Sequence, residues 1–121
     1  MQDHPDLYDV SLEDFEHRVL EASRTRPVLV DFWAEWCGPC LVIAPVLERV
    51  VAGFGGRVAL ARVEVDEGEN MKLAGRYRVR GFPSVILFEQ GEERARFASA
   101  RSESFIREFV LAHARSLEAD T

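Results

Sequence analysis

VDFWAEWCGPCLVIAP, residues 30–45, carries the reading of this chain. It holds both cysteines, Cys37 and Cys40, with only Gly38 and Pro39 between them. It begins inside the apolar run Val28–Phe32, which shows no alternation and suits a strand buried on both faces. Asp31 puts a carboxylate inside that run. Past the second cysteine, Leu41, Ile43, Val46, Leu47, Val50 and Val51 recur at helical spacing up to Gly53, so a helix is predicted to start at the cysteines. Cysteines three apart at a helix start share a face, which brings their α-carbons within reach of the roughly 5.5 Å that a disulfide prefers. Cys37 stands at the N-terminal end, where the helix dipole and free amides favour a thiolate. Cys40, one turn in, is expected to be more buried. The asymmetry makes Cys37 the nucleophile on a substrate disulfide and Cys40 the resolving thiol that releases the reduced product. Pro39 suits the first turn because it donates no amide proton, and Gly38 leaves the backbone open to an approaching substrate. Pro45 removes one helical hydrogen bond and is expected to bend the helix.

The rest of the chain narrows the setting. Its 121 residues predict one domain over 1–121, and 47% hydrophobic residues suffice for a core without a staple. The net charge of −6 argues against nucleic acid or an anionic membrane as partner. No apolar run approaches a membrane span. The start, MQDHPDLYDVSLEDF, is acidic and lacks the basic and apolar regions of a signal peptide, so a cytoplasmic protein is expected. Two closely spaced cysteines point to redox or metal chemistry rather than a disulfide scaffold. Zinc would need two further ligands, and His4, His17 and His113 lie far apart without ligand spacing, so no metal is expected.

Working outward, Ser11 with Asp14 three residues on predicts a capped helix start, followed by Leu12, Phe15 and Val19 at helical spacing. GFGG (53–56) breaks the helix that follows the cysteines. A second strand is predicted over Arg57–Val65 and a short helix over residues 67–77. Helix, strand, helix, strand, helix implies a parallel βαβ crossover. Residues 84–97 then read as two strands joined by a tight turn at Gln90-Gly91. A last helix runs from a Ser102 cap through Phe105, Ile106, Phe109, Val110 and His113. Residues 1–6 are expected to be a short extension and 115–121 a frayed tail. The fold class is α/β: a central mixed β-sheet with helices on both faces, a βαβ half joined to a ββα half.

VDFWAEWCGPC followed by IAP resembles the thioredoxin family, and RGFPS (80–84) resembles the loop carrying that family's cis-proline. The resemblance extends from about Leu7 to His113 and implies the thioredoxin fold. It makes Asp31 the buried aspartate beneath the active site, Pro83 the cis-proline facing the cysteines, Trp36 the tryptophan beside the nucleophile and Pro45 the kinking proline. A buried carboxylate's pKa rises, so Asp31 would hold a proton near neutrality and exchange it with Cys40; a purely structural carboxylate is the plainer reading. The Phe82-Pro83 backbone would pair with an extended substrate strand; from the residues alone Pro83 is an ordinary strand-start proline. The implied activity is reduction of protein disulfides by a monomer, with electrons from a thioredoxin reductase. No bound cofactor is needed, because the Cys37–Cys40 dithiol carries the two electrons. An oxidase or isomerase is a second enzymatic reading, although Gly-Pro between the cysteines goes with the family's reducing members.

Four positions depart from the commonest pattern of the family. Leu41 stands where a lysine or arginine is usual, Arg62 where a lysine commonly faces the aspartate, Phe82 where a smaller aliphatic residue precedes the proline, and Ser99 where glycine is usual. If Arg62 reaches Asp31 it lowers that pKa; if it points to solvent, Asp31 loses its partner. Arg76, Arg78 and Arg80 put positive charge beside the cis-proline loop, which would favour acidic substrates. Leu41, Phe82 and the altered loop Phe97–Ser102 also motivate an alternative of another class, a thioredoxin-like chaperone or docking module with an apolar client-binding rim.

Overall fold

The central strand is the apolar run around Asp31. In the computed structural model, which describes residues 4–120, β2 (Val28–Trp33) lies in the middle of a five-stranded sheet. It pairs in parallel with β3 (Ala59–Glu64) and antiparallel with β4 (Ser84–Glu89). β1 (Leu7–Asp9) flanks β3 at one edge and β5 (Glu92–Ala98) flanks β4 at the other. Residues 28–32 are all fully buried, which is why the run shows no alternation of polarity.

Strand alternation sorts these side chains into two cores. On one face Leu29, Leu60, Val85 and Leu87 meet Ile43 and Leu47 of α1 (Gly38–Gly53) and Ile106 and Phe109 of α3 (Glu103–His113). On the other, Val28, Val30, Phe32, Ile86 and Phe88 meet Phe15, Val19 and Leu73, the last from α2 (Asn70–Arg76). Each fully buried Leu, Ile or Phe contributes about 1.5–3 kcal/mol by leaving water, so these two layers dominate the folding energy. The mixed sheet, with helices on both faces, is the expected architecture. The tight turn expected between β4 and β5 is there: Gln90 (φ 57°) and Gly91 (φ 78°) are both left-handed, which makes it a primed turn.

Three expectations are corrected. β1 was not anticipated: three residues are too short to show a period, and its reason to exist is the pairing Leu7↔Leu60 to Asp9↔Arg62 with β3. Of the short extension expected over 1–6, Asp6 is tied to Arg26 at 2.6 Å; residues 1–3 lie outside the described residues. Next, Asp14 does reach back to the Ser11 amide at 2.8 Å, but the Ser11 hydroxyl donates to Asp14 and caps no helix. The helix that follows is π-helical over Glu16–Glu21 and tightens to a 3₁₀ turn at Ala22–Arg24. That tightening puts the buried Ser23 hydroxyl between the Leu20 carbonyl and the Gly91 amide, locking the segment to the hairpin. Finally, the tail does not fray from Arg115. A 3₁₀ helix spans Arg115–Asp120 and Leu117 is buried. The Glu89 carboxylate accepts the Arg115 and Ser116 amides, each at 2.9 Å. Thr121 lies outside the described residues.

Candidate functional site

The site forms where β2 hands the chain to α1. Cys37 is the N-cap, its extended backbone turning into the helix, and Pro39 occupies the first turn as expected. Cys37 and Cys40 are joined as a disulfide with their α-carbons 5.3 Å apart. Cys40 is completely buried, Cys37 slightly less so, and the Cys37 sulfur accepts the Cys40 amide at 3.2 Å. That bond aims a free helix N–H at the sulfur where a thiolate would form on reduction. A Cβ placed on Gly38 would meet nothing within 4 Å, so the backbone beside the sulfurs is open. Pro45 lies inside α1.

Register brings Asp31 and Arg62 together. The two are direct partners in the β2–β3 ladder, and Arg62 Nε donates to Asp31 Oδ2 at 3.2 Å. The Arg62 guanidinium also lies over the Trp33 ring, 4.3 Å from its centroid. Of the two alternatives for Arg62, the structure therefore takes the one in which it reaches the aspartate. Asp31 is completely buried, and its Oδ1 has no hydrogen-bond partner among the described residues. Burial raises its pKa to about 6, against the charge and hydrogen bond of Arg62, which pull it down. Desolvation wins because Arg62 engages only one of the two oxygens. No hydrogen bond joins Asp31 to either cysteine among the described residues.

The rim of the site is mostly apolar. Trp36 is 67% exposed; its Nε1 donates to Asp66 Oδ2 at 2.7 Å, and its ring meets Phe82 edge-on with centroids 5.8 Å apart. The Phe82-Pro83 peptide is cis. The Pro83 carbonyl accepts the amide of Ser99, which takes a left-handed φ of 74°, a conformation that favours the glycine expected there. Leu41 and Val42 are 55% and 64% exposed on the first turn of α1. Sequence reading missed two residues here. Asp66 and Trp33 hold Trp36 and Arg62, and the only signal for either is its place at or just past a strand end. Among the described residues no group of His, Cys, Asp or Glu has the makings of a metal site.

This geometry can be set beside known proteins. The thioredoxin family model matches residues 6–112. The chain belongs to the thioredoxin family. It is 42% identical to a thioredoxin of Acidithiobacillus ferridurans over 84% of this chain and 90% of that protein. It is 40% identical to a thioredoxin of Pseudomonas aeruginosa over 93% of this chain and 99% of that one, and equally similar to a thioredoxin of Rhodospirillum rubrum over 88% and 98%. With the Cys37–Cys40 disulfide at the helix start, the family makes the protein a thiol-disulfide oxidoreductase with a thioredoxin-like fold. No helix among the described residues is long and apolar enough to cross a membrane.

Proposed function

We propose that the protein is a cytoplasmic, monomeric reductase of protein disulfides, re-reduced by a thioredoxin reductase. The observation that carries this is the asymmetry of the cysteine pair: Cys37 caps the helix beside an open backbone, and Cys40 is fully buried behind it. The Cys37 thiolate, favoured by the helix amides, attacks one sulfur of a substrate disulfide and expels the other as a thiolate, which takes up a proton from water. Cys40 then gives up its proton and attacks Cys37, releasing the second substrate thiol. The pair loses two electrons and becomes the disulfide, the substrate gains them, and no bound cofactor takes part. Asp31, with a pKa near 6 and one oxygen unengaged, is the base that takes the Cys40 proton. Arg62 holds the other oxygen and keeps burial from driving the pKa higher. Trp36, Gly38, Pro39, Phe82 and cis Pro83 form the surface on which an extended substrate strand lies.

The test is catalytic reduction of insulin by dithiothreitol. Wild type accelerates precipitation of the insulin B chain and Cys37→Ser does not; equal activity of the two would end the proposal. Titration of the pair against glutathione separates reductase from oxidase, because a strongly oxidising potential reverses the direction of transfer. The exposed Trp36, Leu41 and Val42 support a second reading, a client-binding module. Full suppression of client aggregation by a Cys37→Ser/Cys40→Ser variant, together with poor acceptance by a reductase, would favour it.

A further inference from the structure

Most cations of this protein are spoken for. Arg26 pairs with Asp6, Arg49 and Arg107 with Glu103, Arg62 with Asp31, Arg94 with Glu92, and Arg96 with Glu93. With 21 acidic residues against 15 Lys and Arg, partners are plentiful. Arg24 and Arg115 lack an ion pair or side-chain hydrogen bond among the described residues, but each stands alone; Arg76, Arg78 and Arg80 are a run of three. All three are exposed, and among the described residues none has an ion pair or side-chain hydrogen bond. They follow one another at alternate positions from the end of α2 into the loop that carries cis Pro83.

Arg78 adds an independent observation. Its amide donates to the Gly75 carbonyl and that of Val79 to the Ala74 carbonyl, the closing bonds of a helix C-terminus. Its φ of 57° is the left-handed conformation that favours glycine at this position. An arginine here is held against a backbone preference and makes no ion pair or side-chain hydrogen bond among the described residues in return. Strain of this kind, retained without an internal reason, points to a use outside the molecule.

The Asp66 side of the site carries the other sign. Asp66 binds Trp36, and burial followed by the charges of Glu35, Glu67 and Asp66 raises the Glu64 pKa, which marks a crowd of carboxylates there. Trp36 therefore touches an acidic group through Asp66 and, through its ring, Phe82, which follows the last of the three arginines by two residues. Over a Debye length of about 8 Å a docked segment responds to the shoulder it touches more than to the net charge of the whole chain.

We propose that Arg76, Arg78 and Arg80 are a docking shoulder for carboxylates flanking the disulfide of a partner protein, so that acidic disulfide segments are the favoured substrates. This rests on the reading of the protein as a protein-disulfide reductase. The experiment uses the reduced full chain and two disulfide-linked peptides that differ only in having Asp and Glu, or Lys and Arg, beside the cysteine. At low salt the acidic peptide is reduced about tenfold faster than the basic one, the scale of a modest electrostatic on-rate effect. That ratio falls toward one in about 0.5 M salt, where screening is nearly complete. It also falls toward one, or inverts, in Arg76→Gln/Arg78→Gly/Arg80→Gln, in which glycine relieves the left-handed backbone, and it persists in the corresponding triple lysine variant. Equal rates in wild type, or an unchanged ratio in the neutral variant, overturn the proposal. Inhibition by a single-stranded oligonucleotide at lower concentration than by an acidic peptide of equal charge overturns it in favour of a general polyanion site. Failure to reduce either peptide would instead strike the reductase reading itself.

Discussion

Asp31 and Glu89 are both carboxylates buried in neighbouring strands, and they have been pushed in opposite directions. Asp31 is completely buried, has one arginine on one oxygen, and its pKa is raised to about 6. Glu89 is 3% exposed, and burial pushes its pKa up too, but the Ser116 and Arg115 amides on its two oxygens more than offset this and the pKa is lowered. Burial alone does not fix the charge state; the number of donors left to each oxygen does. The ends of the sheet differ accordingly. β4 starts beside cis Pro83 at the end with an unsatisfied carboxylate, and finishes at Glu89, where both oxygens are satisfied. One carboxylate is left with an unengaged oxygen, and the other ties the tail to the core.

The hardest test of this contrast is Glu89→Gln. The amide keeps the size but turns an N–H toward a backbone donor, losing one charge-assisted bond and leaving a buried amide unpaired. The loss is about 3 kcal/mol, read from urea unfolding, with insulin reduction at 25 °C unchanged. A loss under about 0.5 kcal/mol, the ordinary surface value, would mean that the tail is held without Glu89.

Asp31→Asn should act with the opposite sign. A folded pKa near 6 against about 3.9 unfolded means that the folded state binds the proton more tightly, so stability is full below about pH 4 and lost as pH rises through 6. Removing the charge then stabilises the protein at pH 8 by about 2 kcal/mol, after allowing for the partner that Arg62 loses, and by nothing at pH 4. Release of the substrate from Cys37 slows in the same variant. Glu89, with its lowered pKa, contributes stability above its unfolded value near 4.3 that is lost as pH falls through the folded one. The two residues tilt the stability curve from opposite sides. Urea midpoints at pH 4, 6 and 8 that move in parallel for wild type and Asp31→Asn would break the comparison.

The sequence disclosed one of these carboxylates and hid the other. Asp31 stood out because an apolar strand gives a charge no ordinary reason to be there. The cysteine helix, β2 and the Gln90-Gly91 hairpin were legible for the same kind of reason: each has a local signature of period, cap or turn. Glu89 closes a strand in front of a turn, where an exposed glutamate is unremarkable, and its partners lie 26 and 27 residues on. The hold of Arg62 on Asp31 depends on the β2–β3 register, which neither strand specifies by itself. β1 and the π-helical segment likewise exist through pairing and packing rather than propensity.

Arg62→Met sharpens the comparison from the Asp31 side. It removes the one side-chain donor that Asp31 has among the described residues, and that donor's charge, while leaving burial, so the Asp31 pKa moves above 6. The pH at which substrate release from Cys37 half-saturates should rise with it, and Arg62→Lys should restore much of the shift because a charge returns without the fork. Carboxyl ¹³C titration of Asp31 reads the change directly. A pKa that stays put or falls would show that the guanidinium is not what opposes desolvation.

The smallest effect separates strain from function. Both ends of the sheet hold a non-glycine residue in the left-handed region, Ser99 (φ 74°) beside Pro83 and Gln90 (φ 57°) beside Glu89. A left-handed L-residue costs roughly 1–2 kcal/mol, and glycine returns part of that gain as lost chain entropy. Ser99→Gly and Gln90→Gly should therefore each stabilise the protein by about 0.5–1 kcal/mol in urea unfolding. Only Ser99→Gly should lower the KM for a protein disulfide, because the Ser99 amide bonds the carbonyl of cis Pro83, where the proposed substrate strand would lie, whereas Gln90 sits a whole strand away. Equal KM values for the two variants would reduce Ser99 to a turn residue with no part in substrate binding.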